Sequence, residues 1–316
     1  MGVSWRMQLD YLEPRWLWHF EWQTPREFSA DAIDKVVYIG KSKYQIIEVV
    51  ETFEHGRTLI LDGRIQSAEK DEWIYHEAIV HPPMLAHPWP ERALVIGGGE
   101  GANLRELLKH KSVKEIVMVD LDKKVINIAK KYLWKWHQGA FENPKVKLII
   151  GDGRKFVSEY PGEKFDVVIL DLTDPVAGGP SYYLYTYEFY SLIKKNVVKP
   201  DGVVVTQATS LVYSIEAHAM IRNTLAKVFK KTSTYKVFVP AFHSIWSFVV
   251  ASDKWDPKEL SKEEVEKRIR ERIVGELRFY DGETHVEMFL LPKHIRKRIS
   301  EIKEVAYDKK PPSLPL

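Results

Sequence analysis

The chain has 316 residues, 45% of them hydrophobic, enough to bury a full core in one large domain beside a smaller one, which excludes a small fold held by staples. It has no cysteine, so disulfides, thiolate nucleophiles and cysteine-bound zinc are excluded, and any catalysis must use carboxylates, His, Tyr or Lys. Its 47 basic and 44 acidic residues give a formal net charge of +3, a near balance that leaves no electrostatic footprint for nucleic acid.

The longest apolar runs, such as residues 245–251, fall well short of a membrane span, and the first thirty residues carry charges throughout. A soluble, cytoplasmic protein without membrane attachment is expected. Asn and Gln together number eleven while charged residues reach 29%, the pattern of depleted thermolabile residues and favoured ion pairs that predicts a thermophilic source.

From residue 16 to about 66 the chain reads as short strands. Trp16, Trp18, Phe20 and Trp22 alternate with other residues, 44–50 is β-prone, and 58–61 leads into Asp62-Gly63. A small antiparallel domain over 1–70 follows, whose alternating aromatics form a half-buried strand or an oligomer face. Residues 71–86 read as a helix ended by prolines. After Pro90 the texture changes to apolar runs separated by helical stretches, at 92–96, 116–119, 146–150, 165–170, 202–206, 235–239 and 246–251. Alternation of this kind predicts an α/β domain over 71–316, a parallel sheet with helices on both faces, its last two runs pairing antiparallel at the edge. The basic stretch 293–303 reads as a solvated helix face, and the tail after Pro311 as disordered.

Ligands of such sheets sit beyond the carboxyl ends of the strands, so the residues after each run matter most. The first run is followed by Gly97-Gly98-Gly99-Glu100-Gly101-Ala102, a turn whose backbone can approach a ligand closely as a helix opens. Asp120 ends the second run, where an acid binds ribose hydroxyls, so an adenosine-type molecule is expected. The third run ends in Asp152-Gly153 and the fourth in Asp171 with Asp174 close behind. Acids at four successive strand ends repel phosphates and attract a cationic sulfonium and a polycationic amine. Each residue also has a plainer reading: Asp120 and Asp152 as helix caps, His76 as a packing histidine, Tyr182, Tyr183 and Tyr185 as loop packing.

Seven segments, in order, resemble one family: SKYQ at 42–45, LDGRIQSAEKDEWIYHEAIVH at 61–81, GGGEG at 97–101, Asp152-Gly153, DLTDPVAGGPSYYLYTYEFY at 171–190, VTQA at 205–208 and VPAFHSIWSFVVAS at 239–252. The chain is similar to the spermidine and spermine synthases, and within them most to thermospermine synthases. The resemblance implies a Rossmann-like sheet of the methyltransferase type and transfer of an aminopropyl group from decarboxylated S-adenosylmethionine to a polyamine, with no prosthetic group and no metal.

It further implies that Gln45 and Asp120 hold the ribose, that Asp152 and Gly153 meet the adenine, that Gly97 and Gly99 form the donor loop, and that Pro180 closes over the nucleoside. Gln66, Tyr75, His76, Glu100, Asp171, Asp174 and Trp246 would surround the aminopropyl group and the acceptor, with Asp171 as proton acceptor and Asp174 gripping an amine. A homodimer or homotetramer is implied as well. Three departures bear on the acceptor: many spermidine synthases have Asp at the position of Glu100, Glu at that of Asp120, and a loop two residues shorter before Pro180. An acceptor such as spermidine, giving thermospermine or a related tetraamine, is expected, with putrescine or agmatine as the alternative. Two rivals are an S-adenosylmethionine methyltransferase and a catalytically silent polyamine-binding protein.

A polyamine nitrogen has a pKa of roughly 10, as lysine does, so it needs a positioned base before it can attack carbon. Asp171, at a strand end, is the expected base.

Overall fold

A computed structural model describes residues 17–314. Five N-terminal strands, β1 (Leu17–Thr24), β2 (Glu27–Lys41), β3 (Ile46–Thr52), β4 (Gly56–Leu61) and β5 (Arg64–Ala68), pair in sequence order as an antiparallel sheet. The β4–β5 hairpin turns on Asp62 (φ 49°) and Gly63 (φ 76°), the two left-handed residues that match the twist of its flanking strands. β2 has no counterpart in the sequence reading. Its pairing with β3 slips twice, between Ile33 and Lys35 and between Val36 and Tyr38, and each bulge breaks the alternation by which a strand is recognised.

The aromatic alternation in β1 points outward. Leu17, Phe20 and Trp22 are exposed whereas His19 and Glu21 are buried, the reverse of a core-facing strand. Phe20 and Trp22 pack edge-on against Phe28 of β2, so the sheet presents an apolar outer face. Trp16 lies outside the described residues.

Helix α1 (Glu72–Ala86) follows, enclosed by the core on nearly every side. It runs through Pro82 and Pro83 and stops at Ala86, two residues ahead of Pro88, because a residue before proline is pushed out of the helical region.

The second sheet holds β6 (Arg92–Gly97), β7 (Glu115–Asp120), β8 (Val146–Ile150), β9 (Phe165–Asp171), β10 (Val198–Ser210), β11 (Lys231–Val239) and β12 (Ser244–Ser252), in the order β11-β12-β10-β9-β6-β7-β8. β8 through β10 pair parallel, and β12 pairs antiparallel with both β10 and β11 at the edge, as expected. Both faces are covered, so the strands read as continuous apolar runs. Val95, Met118, Ile169 and Val205 face one core, with Ile79 of α1 and Leu104 of α2 (Ala102–Leu108); Leu94, Val117, Leu170 and Val204 face the other.

After α2 come α3 (Lys123–Tyr132), α4 (Trp134–His137), α5 (Gly153–Glu159), α6 (Tyr187–Leu192), α7 (Ile215–Val228), α8 (Lys262–Arg272), α9 (Gly282–Phe289) and α10 (Lys293–Glu301). The two sheets are joined by packing of Ile47, Val49, Leu59 and Leu61 against Ala102, Val125, Ala129 and Trp136. The tail departs from expectation: Leu314 is buried, and its N–H donates to Pro175 O at 3.3 Å, because an apolar side chain this close to a cleft gains more by covering it than by solvation. Among the described residues, no helix is long and apolar enough to cross a membrane.

Candidate active site

The cleft lies beyond the carboxyl ends of β6, β7 and β9, roofed by the N-terminal sheet. Its lining contains Gln45, Gln66, Tyr75, Gly97, Gly99, Glu100, Asp120, Asp152, Gly153, Asp171, Asp174, Pro180 and Trp246, all of which the sequence singled out.

The glycine loop is compressed against its neighbours. A Cβ on Gly97 (φ 83°) would fall 2.0 Å from the carbonyl oxygen of Asp171, and one on Gly99 would fall 2.9 Å from Asp120 Oδ2. Glycine is required there because β6 and β9 run side by side, Gly97 opposite Asp171. Gly98 N–H donates to Asp171 O at 3.0 Å, which ties the loop to the acid.

Asp171 ends β9 with both oxygens engaged: Tyr75 O–H donates to Oδ1 and Asn103 Nδ2 to Oδ2, each at 2.6 Å. Burial, followed by the charge of Glu100, pushes its pKa up to about 6, with His76, Tyr75 and Asn103 pulling it back. Asp174 is pushed up to about 6 by burial against the pull of Arg64, whose Nη1 lies 3.5 Å from Oδ2. Asp120 rises to about 7, from burial first and then the like charge of Glu100, against the Asp122 N–H that it accepts at 2.8 Å. One cleft thus crowds anions against one another in a low-dielectric site, and the cheapest relief is a bound cation.

Asp152 does cap a helix, accepting from Lys155 N–H at 2.8 Å, and lines the cleft as well. Asp120 does not: the cap of α3 is Asp122, which accepts from Lys124 N–H at 2.9 Å and from Gln45 Nε2 at 3.1 Å. Gln45 is aimed by a turn in which Ser42 Oγ accepts from the N–H groups of Tyr44 and Gln45.

His76 does not reach the cleft. Its Nε2 lies 2.7 Å from Glu100 Oε1 and its Nδ1 2.9 Å from Glu72 Oε2, and the ring is buried behind them. Burial opposes its charging, but the two carboxylates outweigh it and hold the pKa at about 10, so an imidazolium braces Glu100. Position i+4 from Glu72 on α1 put this ring inside the helix packing. The tyrosines of the 182–185 segment also stay out of the lining: Tyr183 is exposed, and Tyr182 packs on it at 5.3 Å. Tyr185 is buried and donates to Thr173 O at 2.9 Å, so it acts on the loop and not on a ligand.

Sequence reasoning missed six contributors: Glu21, Arg64, Asn103, Asp122, Gln207 and Tyr213. Gln207 Nε2 donates to Leu172 O at 2.9 Å and to Tyr185 Oη at 2.6 Å, clamping the segment between the two acids. Its Oε1 accepts from Thr209 N–H at 2.9 Å, which helps hold that β-branched residue at φ 63°. Arg64, Asn103 and Gln207 stand in or beside the motifs already quoted, and a search for partners of Asp171 and Asp174 would have found them. Glu21 carried no signal of its own, since it stands between two aromatics of a strand read for its aromatic alternation. With it, the lining among the described residues holds seven carboxylates (Glu21, Glu100, Asp120, Asp122, Asp152, Asp171, Asp174) against one cation, Arg64.

The spermine/spermidine synthase domain model matches residues 72–262, and the spermidine synthase tetramerisation domain model matches 17–69. The chain is 53% identical over 300 residues to the polyamine aminopropyltransferase of Sulfurisphaera tokodaii, covering 95% of this chain and 99% of the relative. It is 47% identical to that of Sulfolobus acidocaldarius, with the same coverage. A spermidine synthase solved in complex with the transition-state analogue AdoDATO superposes with a TM-score of 0.84 at 36% identity, over 90% of this chain and 95% of that one. The spermidine synthase from Thermotoga maritima gives 0.82 at 35%, over 90% and 94%.

Proposed function

The chain belongs to the spermine/spermidine synthase family and is an aminopropyl-transferring enzyme, and on that footing we propose that it extends a triamine such as spermidine into thermospermine or a related tetraamine. The donor is decarboxylated S-adenosylmethionine. Gln45 and Asp120 take its ribose, Asp152 and Gly153 its adenine, Gly97 and Gly99 its approach, and Pro180 its outer face. Intact S-adenosylmethionine would bring a carboxylate toward Glu100 and Asp171, which disfavours the methyltransferase reading.

The observation that carries the acceptor assignment is the set of acids sharing one cleft, Glu100, Asp171, Asp174 and Glu21, the last two spanned by Arg64, whose Nη1 lies 3.9 Å from Glu21 Oε1 and 3.5 Å from Asp174 Oδ2. Such a set meets an amine with several ammonium groups. In the reaction, Asp171 takes the proton of the attacking nitrogen while Tyr75 and Asn103 hold its two oxygens in place. The nitrogen then displaces the sulfonium, whose positive charge is lost to neutral 5′-methylthioadenosine as the carbon–sulfur bond breaks. Asp174 grips a second ammonium, and Phe242 and Trp246 wall the methylenes. His76 serves as a positioning residue through Glu100.

A diamine acceptor is favoured by one feature: Arg64 already supplies a cation between Asp174 and Glu21, which leaves fewer free acids. A panel of kcat/KM values for putrescine, agmatine, norspermidine and spermidine, with chromatographic identification of the product, separates the readings. Preference for putrescine or agmatine would overturn the triamine assignment. Length discrimination is worth about 1 to 3 kcal/mol per methylene, so secondary activities are expected.

The exposed Phe20, Trp22 and Phe28 face is assigned to contacts between copies, as a homodimer or homotetramer. Light scattering of Trp22→Glu should give a smaller species than the parent chain, and an unchanged mass would move the contact elsewhere.

A further inference from the structure

Away from the cleft, three ligating side chains from distant parts of the sequence converge: Asp31 of β2, His55 in the β3–β4 turn, and His243 in the turn before β12. His55 Nε2 lies 3.2 Å from Asp31 Oδ1, and His243 Nε2 lies 3.2 Å from Oδ2 and 3.3 Å from Oδ1. The donor atoms all fall within 4.8 Å of one another. Two ligands on a tetrahedral ion with bonds of about 2.0 to 2.1 Å stand about 3.3 Å apart, which is the distance of both imidazole nitrogens from Asp31 Oδ1. Charge-assisted N–H···O⁻ bonds shorten to about 2.7 to 2.9 Å, which these contacts do not.

The surroundings add two observations. His19 stands directly across from Asp31 in the β1–β2 register, hence on the same sheet face, and its buried Nε2 has no hydrogen-bond partner. His243 adopts a left-handed backbone at φ 49°, a conformation a non-glycine residue keeps where its surroundings impose it. Asp31 and His55 are buried, whereas His243 is partly open to solvent, which leaves a coordination position and a way in.

We propose that Asp31, His55 and His243 form a binding site for a divalent transition ion of the zinc class, which clamps the 240–243 turn onto the N-terminal sheet. Two imidazoles and a carboxylate, without thiolate, suit Zn2+ and Co2+ and disfavour Cu(I). The clamped turn matters to the cleft. Phe242 lines it, Ala241 N–H donates to Asp71 Oδ2 at 2.6 Å, and Ala241 packs with Val50, Ile60, Ile65 and Ala68. Protons compete for the imidazole nitrogens, so metal affinity increases with pH.

The test uses the full chain, stripped with a chelator, loaded with Zn2+ at neutral pH, desalted and assayed for metal by mass spectrometry. Co2+ loading is followed by its visible absorption. Expected is one ion retained per chain, a Zn2+-dependent rise in Tm, and an affinity loss of about tenfold or more in His55→Gln and His243→Gln. His243 lies at the surface and outside the cleft lining, so its variant should fold, as its metal-free Tm will verify. A wild-type chain that retains no ion overturns the site. Equal retention by wild type and His243→Gln overturns it too, since the ion then sits elsewhere, as at His76, Glu100 and Asp171.

Discussion

The two ends of the cleft are built differently. The donor end is mostly local: the turn after β6, Asp120 at the end of β7 and Asp152 after β8 are consecutive outputs of one repeating βα pattern, to which Gln45 is added from the N-terminal region, 77 positions from its partner Asp122. The acceptor end is assembled from afar: Tyr75 reaches Asp171 across 96 positions, Asn103 across 68, and Arg64 reaches Asp174 across 110. A generic cofactor pocket comes with the sheet, whereas selectivity and proton transfer depend on long-range packing. Changes at the acceptor end should therefore act on turnover and acceptor affinity, and changes at the donor end on nucleoside binding alone.

The largest expected effect is at Asp171. Asp171→Asn keeps the size of the side chain and one of its two acceptor oxygens and removes the base, so kcat should fall by about 10²-fold or more. Binding of 5′-methylthioadenosine, measured by calorimetry, should be unchanged; weakened binding would mean the two ends are not separable.

Next comes pH. Asp171 is held up at about 6, so as pH falls through that value the carboxylate takes its own proton and cannot accept one from the amine. kcat should drop about tenfold per pH unit below it, under acceptor saturation. His76, held at about 10 by Glu100 and Glu72, stays charged across that range, so its ring protons followed by NMR should not titrate below pH 8, and titration there would sink its bracing role.

Smaller, and opposite in kind, are the flanking acids. Asp174→Asn should raise acceptor KM about tenfold or more, the loss of a charge-assisted contact of about 1.5 to 3 kcal/mol, with donor KM unmoved. Asp120→Asn should do the reverse, and a shared change in both constants would erase the contrast between the ends.

The smallest effect is on stability. The folded pKa of Asp120, about 7, lies above its ordinary value of 3.8, so the folded chain holds a proton that the unfolded chain releases between those values. Its destabilising contribution is absent below 3.8 and full above 7. Asp120→Asn, which can still accept the Asp122 N–H, should raise Tm above pH 7 and change it little in acid. A Tm gain that is independent of pH would assign the effect to something other than charge.

Much of this site was legible because parallel sheets deliver function at strand ends: the apolar runs followed by Gly97, Asp120, Asp152 and Asp171 mark the cleft in the sequence itself. Motif matching added Gln45, Gln66, Tyr75, Pro180 and Trp246. Where matching runs out is direction. His76 and Tyr185 sit in the right segments, yet their side chains turn to Glu72, Glu100 and Thr173 instead of into the cleft.

By itself the sequence determined the alternation of elements, the antiparallel edge, the glycine loop and the acidity of the cleft, since period, backbone freedom and charge are local properties. Only the tertiary structure decided that β2 exists across its two bulges, that β1 turns its aromatics to solvent and Glu21 inward, that Leu314 covers the cleft, and that Asn103, Arg64 and Gln207 hold the acids. It also brought Asp31, His55 and His243 together. Each of these depends on which distant chain segment arrives opposite, and that is settled by packing of whole faces, not by any window of sequence.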